Sequence, residues 1–297
     1  MRPLSTWRAS AKRRGRRSRG PMIGLAHRTP EGAYTALDPV IEREPPRQLR
    51  VMSYNIQSGL ETRRYHHYVT RGWQHFWPSS SREGNLDRMG HMLHQYDLVG
   101  LQEVDAGSFR TGYVNQVEYL ARRGTFPYWY YQTNRNLGRL AQHSNGLLTR
   151  YRPASIDEHA LPGRVPGRGA LHLRFGGAGE ALNVIIVHLA LSRRARATQL
   201  AYLADLINEH RHVIVMGDFN CHSRSPEFTT LVDRTELLEP VHDLHTFPSW
   251  KPQRNIDHIL LSSSLEVGHV RVLDYPLSDH LPITMDISLP EGIELVG

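Results

Sequence analysis

The sequence predicts a single α/β domain with mixed β-sheets, and three observations carry that prediction. Short apolar strands alternate with helix-periodic stretches from Leu49 onward, hairpin pairs interrupt the alternation, and no break in composition divides residues 48–290. With 297 residues, 39% of them hydrophobic, the chain can bury a sizeable core. It contains no internal repeat.

The elements follow in order. Residues 1–47 read as a basic, disordered tail and linker ending in Pro45-Pro46. Leu49 to Ile56 is a strand that delivers polar Asn55. Residues 61–83 form a long connection rich in aromatics and histidine, including His66, His67, Trp73, His75 and Trp77. Leu86, Met89, Met92 and Leu93 share one helix face, and Asp97 to Gln102 is a strand leading into Glu103. Val114, Val117, Leu120 and Ala121 mark a second helix, closed by Gly124 as C-cap. Tyr128 to Tyr131 and Asn145 to Thr149 are short strands. Ala170 to Phe175 and Ala181 to Leu189 pair as a hairpin across a Gly-rich turn. Residues 195–209 form a helix with Leu200, Leu203, Leu206 and Ile207 inward. Strands follow at Val213 to Met216, Ile256 to Leu261, Val267 to Leu273 and Ile283 to Ile287, and residues 291–297 are left as a C-terminal tail.

Charge narrows the function classes. The net charge of +7 is concentrated at the start, where residues 1–20 carry eight basic side chains and no acid. The rest holds 36 − 8 = 28 basic against 29 acidic residues, so the body is near neutral. A long duplex-binding surface would place its basic excess in the domain itself. Cys221 is the only cysteine, which excludes an intrachain disulfide and fits a reducing compartment. No apolar run approaches the roughly 18–20 residues needed to span a bilayer. Two lysines against 34 arginines suggest a GC-rich bacterial source and a cytoplasmic location. The Arg-rich start also matches an organellar targeting signature, or an upstream start with Met22 as the true one.

Polar residues stand where the apolar strands stop. The run Val213-Ile214-Val215-Met216 leads into Gly217-Asp218-Phe219-Asn220. In an extended chain, residues i and i+2 point to one side, so Asp218 and Asn220 are expected to face one pocket. A turn would account for the same pair. Asn183 to Val187 delivers His188, Asp257 opens one strand, and Asp279-His280 precedes another. Functional groups in α/β proteins gather where strand ends meet loops.

Taken together, Asn55, Gln102-Glu103, His188, Gly217-Asp218-Phe219-Asn220, Ile256-Asp257-His258 and Ser278-Asp279-His280 resemble the endonuclease/exonuclease/phosphatase (DNase I-like) superfamily. The motifs stand in family order over about residues 48–290, and the likeness extends to uncharacterised bacterial members. The resemblance implies a four-layer α/β/β/α sandwich with two packed mixed β-sheets. It also implies a phosphoesterase dependent on Mg²⁺ or Mn²⁺. Glu103 would be the first metal ligand, with Asn55 beside it and Asp279 as an additional ligand. His280 would be the general base for water, and Asp257 would fix its tautomer. Asp218 would position the nucleophile, and Asn220 would bind a phosphoryl oxygen. His188 would contact phosphate or protonate the leaving oxygen. Asn145 falls where related enzymes carry a site-lining polar residue. Arg254 either contacts phosphate or neutralises nearby acids, and Arg168 has the same two readings.

Other polar residues have plainer readings. Cys221 lacks a Cys–His framework and reads as a small semi-buried filler. His258 points away from its neighbour Asp257 along the strand. His91, His94, His210 and His212 read as surface or helix-edge residues. His66, His67 and His75 lack the cysteine partners of a zinc site. The expected substrate is a phosphodiester, whether nucleic acid, phospholipid or small molecule, and no obligate protein partner is evident. The competing reading is a non-catalytic module that binds phosphorylated ligands, or nucleic acid through residues 1–20; a degenerate site would lack a motif residue, and none is missing.

Overall fold

The computed structural model describes residues 47–59, 80–136, 142–164, 166–177 and 179–297. Residues 61–79 of the aromatic and histidine-rich connection and the basic tail up to residue 46 lie outside the described residues, and residues 80–83 of that connection are helical. Two six-stranded mixed sheets pack face to face. The first has the order β11-β12-β1-β2-β4-β3, and the second β5-β6-β7-β8-β10-β9. In chain order the first sheet uses β1 (Gln48–Asn55), β2 (Leu98–Val104), β3 (Tyr128–Asn136), β4 (Gln142–Thr149), β11 (Glu266–Val272) and β12 (Ile283–Ser288). The second uses β5 (Ser155–Ala160), β6 (Gly169–Gly176), β7 (Ala181–His188), β8 (His212–Asp218), β9 (Leu237–Leu238) and β10 (Asp257–Ser262).

Strand alternation explains the layering. In β1, Leu49 and Val51 enter the core between the sheets, whereas Met52 and Tyr54 turn outward. In β8, Ile214 and Met216 face inward, and Val213 and Val215 face the other way. Each outer face is then covered by two helices. Helix α1 (Ser80–Leu93) and helix α2 (Gln116–Arg123) cover the first sheet through Leu86, Met89, Leu93, Val117 and Leu120. Helix α3 (Arg193–Ile207) and helix α4 (Pro226–Arg234) cover the second through Leu200, Leu203, Ile207, Phe228 and Leu231. The result is the expected four-layer sandwich.

The structure departs from the sequence reading in several places. Val114 lies before α2, which starts after Asn115, whose side chain accepts the Val117 and Glu118 amides as an N-cap. Strand β5 and helix α4 are additions. Residues 291–297 are no free tail, because Ile293 and Leu295 are buried in the inter-sheet core and the Arg152 amide donates to the Val296 carbonyl. His212 is buried, held between Glu180 at 2.6 Å and Ser264 at 2.8 Å. Among the described residues, no helix is long and apolar enough to cross a membrane.

Candidate active site

The inner columns of side chains run out into polar groups at one edge of the sandwich. Leu49, Val51 and Ser53 are followed on the same side of β1 by Asn55. Leu182, Val184 and Ile186 lead to His188, and Ile214 and Met216 lead to Asp218. Register aligns them further. His188 pairs with Asp218 across the parallel β7–β8 ladder, and Asp218 pairs with Asp257 across the antiparallel β8–β10 ladder. Asp279 and His280 arrive just ahead of β12, which runs antiparallel to β1. Four buried strands and the approach to β12 therefore deliver their polar ends between the sheets.

Glu103 reaches the site differently. Alternation from Leu98 would turn it outward, but the β2–β4 register shifts between Leu101 and Val104. Glu103 takes a left-handed backbone at φ 55°, and its carbonyl accepts from the Ser58 hydroxyl at 2.9 Å. This irregularity re-aims the carboxylate into the cleft. Ser58 and Asn220, at φ 53° each, share the same unusual region.

The central geometry is a histidine between carboxylates. His280 Nδ1 lies 2.8 Å from Asp257 Oδ2, and its Nε2 is 4.0 Å from Asp218 Oδ2. Thr246 donates its hydroxyl to the same Asp257 oxygen. Phe247 packs on the imidazole with ring centroids 4.8 Å apart. Ser249 donates its amide to the Asp279 carbonyl and its hydroxyl to the Ser278 carbonyl. The segment from Thr246 to Ser249 thus clasps both the dyad and the Asp279-His280 turn. The only signal of this segment in the sequence is Thr246 and Ser249 flanking Phe247-Pro248.

His188 Nε2 stands 3.5 Å from Asp218 Oδ2 and 3.9 Å from Glu103 Oε1. Asn55 donates its amide to Asp218 Oδ2 at 3.1 Å, and its carbonyl accepts the Gln57 amide. The Asn220 backbone amide donates to Asp218 Oδ1 at 2.9 Å, while its side chain donates to the Leu189 carbonyl. Strand β8 ends at Asp218, so the expected i, i+2 alignment of Asp218 with Asn220 does not occur. Asn220 instead braces Asp218 and the β7 end, with its side-chain amide turned to backbone.

Burial sets the protonation pattern. Asp218 is pushed up to about 6 by burial and by the neighbouring Asp257 charge, against the opposing pull of His280. Asp279 is likewise raised to about 6 by burial, reinforced by Glu103. Glu103 is raised by burial too. His188 is held well below the usual imidazole range by burial and the positive field of Arg168 and His280. For His280 burial pulls downward, but Asp257, Asp279 and Asp218 together hold it well above that range.

Such a cluster fits a hard divalent cation. Glu103, Asp218, Asp257 and Asp279 bring several carboxylates into a small buried volume, and Asp257 Oδ1 is buried with no hydrogen-bond partner. Oxygen donors with one imidazole suit Mg²⁺ or Mn²⁺ chemistry. An oxygen of Asp218, one of Asp257 and a nitrogen of His280 lie within 4.8 Å of one another, close enough to hold an ion. That trio differs from the implied set of Glu103, Asn55 and Asp279. Of the two Asp257 oxygens, Oδ2 is already engaged by His280 and Thr246, whereas Oδ1 is the unpartnered one.

Comparison with known proteins agrees with this geometry. The profile of the Endonuclease/Exonuclease/phosphatase family matches residues 52–280, which spans every residue of the cluster. The chain belongs to this family. It is 31% identical over 166 residues to the uncharacterised protein YbhP of Escherichia coli K12, covering 50% of this chain and 63% of that protein. The aligned part is thus less than two thirds of the relative's length. Among solved structures, an endonuclease/exonuclease/phosphatase from Beutenbergia cavernae DSM 12333 superposes with a TM-score of 0.63 at 18% identity, covering 83% of this chain and 73% of that one. A mannosyl-6-phosphatase from Bacteroides thetaiotaomicron VPI-5482 gives 0.60 at 16% identity, covering 81% and 100%. These two establish the fold. Members of this family are hydrolases of phosphoester bonds.

The remaining predicted residues divide. Arg254 is exposed at the site edge and stacks over Phe247, its guanidinium carbon 5.6 Å from the ring centroid. Arg168 lies close enough to act electrostatically on both Glu103 and His188. Asn145 is not a site-lining residue. It is fully buried between the sheets, donating to the Gly169 carbonyl at 2.9 Å and, at 3.4 Å, to that of Ile186. Asn145→Ala should therefore cost about 1–3 kcal/mol of stability with KM unchanged, which thermal melts and steady-state kinetics check together. His258 turns away from the cleft, as expected, to Glu239 and the Cys221 carbonyl. Burial raises the Cys221 thiol to about 11, consistent with a filler.

Proposed function

We propose that the chain is a Mg²⁺- or Mn²⁺-dependent hydrolase that cleaves phosphodiesters by a water activated at His280. The observation that carries this reading is the imidazole fixed at 2.8 Å by Asp257, with its other nitrogen 4.0 Å from Asp218. Donation of Nδ1–H to Asp257 leaves Nε2 as the proton acceptor. The span between Nε2 and Asp218 Oδ2 is one a single water bridges, so both groups would orient the nucleophile. Glu103 and Asp279 would hold the cation, which when bound supplies positive charge against the charge that builds on the phosphoryl oxygens. Asn55 keeps Asp218 in place through its amide. His188, held neutral, serves as a hydrogen-bonding group for a phosphate oxygen rather than as an acid. The near-neutral body favours small or lipid substrates over long duplexes.

A substrate panel tests this reading: plasmid, single-stranded and abasic DNA, RNA, sphingomyelin, phospholipids and bis-p-nitrophenyl phosphate, each with Mg²⁺, Mn²⁺ or EDTA. Hydrolysis of at least one diester, abolished by EDTA, is expected. Absence of EDTA-sensitive activity on all of them overturns it in favour of a binding module.

The protonation pattern gives a pH prediction. Asp218 and Asp279 titrate at about 6 in the fold against 3.8 as the ordinary value. The metal-free folded state then holds more protons than the unfolded chain, so its stability falls as pH rises from the ordinary value through about 6. His280, raised in the fold, adds stability that is full below 6.5 and is lost as pH climbs through its folded value. A divalent cation favours the deprotonated carboxylates, so its stabilising effect grows with pH. Melting curves should show a larger metal-induced rise in Tm at about pH 7.5 than at about pH 5. Activity should fall with acidification through the His280 titration, which Asp257, Asp279 and Asp218 hold well above the usual imidazole range, because His280 must be neutral to accept a proton. An equal metal effect at both pH values would contradict the assignment.

A further inference from the structure

A cavity of about 690 Å³ adjoins the catalytic centre and shares Glu103 and His188 with it as lining. Its other walls are the segment between β5 and β6 and the stretch from Ala190 into the first turns of α3. That volume lies in the range of sites for small organic molecules. The lining is partly apolar, with Leu191 77% exposed, and it carries three arginines. Glu103 is the only acid among the described residues that line the cavity.

Two of these arginines, Arg164 and Arg194, have no ion-pair partner among the described residues. On α3, Arg193 and Arg196 both pair with Glu227, at 3.4 and 2.7 Å, and so brace α3 against α4. Arg194, between them in sequence, is exposed and lines the cavity instead. Arg164, from the connection between β5 and β6, is exposed and lines the same cavity, and neither it nor Arg194 forms an ion pair with any described residue. Arg168 lines the cavity together with Glu103 and His188, and its charge acts on both. Guanidinium groups converging on a partly apolar cavity are suited to a phosphate or carboxylate held by charge-assisted hydrogen bonds.

We propose that the substrate is a small phosphoester carrying a second anionic group, bound by Arg164 and Arg194 while the scissile phosphate lies between His188 and His280. This rests on the phosphoesterase reading for the placement of the scissile phosphate. The second anion itself is read from the cavity alone.

The test uses matched ligands with and without the second anion, on the full chain and on the double variant Arg164→Ala/Arg194→Ala. Both positions are exposed, so the fold should survive their truncation. The first readout is hydrolysis of thymidine 5′-(p-nitrophenyl phosphate) and its 3′-phosphorylated counterpart, with glucose 6-phosphate and glucose 1,6-bisphosphate as the monoester pair. The wild type should favour the doubly anionic member by about tenfold or more in kcat/KM. In the double variant that preference should collapse, while turnover of the singly anionic member changes little. The second readout is calorimetric binding of thymidine 3′,5′-bisphosphate against thymidine 5′-monophosphate without metal, where the same preference and the same collapse are expected. Hydrolysis without preference, or loss of both members alike in the variant, overturns the second-anion site and leaves the phosphoesterase reading intact. No hydrolysis, with a binding preference that the variant abolishes, sinks the phosphoesterase reading and keeps the anion site. Neither hydrolysis nor a binding preference removes both.

Discussion

His280→Ala should lower kcat by about 10²–10⁴-fold, the usual contribution of a positioned general base. The loss follows from geometry. Asp257 fixes Nδ1 at 2.8 Å, Phe247 packs on the ring, and Nε2 is left facing Asp218. Truncation removes the proton acceptor and also leaves Asp257 buried without its main partner, which lowers stability. His280→Gln separates the two effects, because its amide can still donate to Asp257. The glutamine variant should retain a cooperative melt and near-native circular dichroism while losing rate on the same scale as alanine. KM should change far less than kcat in both, since the interaction removed acts in the transition state.

Gly217→Ala should be the most damaging single methyl in the chain. Gly217 has φ 149°, and a Cβ there would fall 1.9 Å from the Val187 carbonyl oxygen. That atom is backbone in the neighbouring parallel strand, so no rotamer change relieves the overlap. Strands β7 and β8 would have to separate just where His188 and Asp218 stand in register. Left-handed strain and overpacking together cost roughly 3–5 kcal/mol, or on the order of 10 °C in Tm for a domain of this size. Activity should fall even in the fraction that folds, because Asp218 moves relative to His280. Thermal melts and kcat at a temperature below the transition check both parts. A variant with unchanged Tm would show that the β7–β8 approach does not set the site.

Much of the site was legible because a strand repeats every two residues. Asn55, His188 and Asp218 each continue an inner apolar column, so the strand pattern that builds the core also aims the functional groups. The same rule misled at Asn220, where the strand stops at Asp218 and the chain turns through φ 53°. Glu103 stands at a strand end in the sequence, but its role as a metal ligand comes only from the resemblance to the family. Its alternation points outward, and neither Gly nor Pro marks the bulge that redirects it. Asn145 is expected in the site only because related enzymes carry a site-lining polar residue there, yet its amide ties the two sheets together. Strand β5 escaped notice because Asp157, Glu158 and His159 break the apolar pattern of an edge strand that has little to bury. Helix α4 is nine residues long and carries its signal in Ser225-Pro226 rather than in periodicity. Ile293 and Leu295 were left in a tail because two alternating apolar residues are too few to declare a docking segment. The Arg164 and Arg194 pairing across the cavity joins residues 30 positions apart, and only the fold brings them to one cavity.

The account turns on Asp257 acting through His280, and a double-mutant cycle measures that most directly. Kinetics of Asp257→Asn, His280→Ala and the double variant are compared under saturating Mn²⁺. If Asp257 only orients the imidazole, its substitution lowers kcat in the wild-type background and adds little once His280 is gone. Strongly non-additive losses are therefore predicted. Additive losses, with metal affinity weakened by Asp257→Asn in both backgrounds, would contradict the account and make Asp257 a ligand of the ion that Asp218 and His280 can also reach.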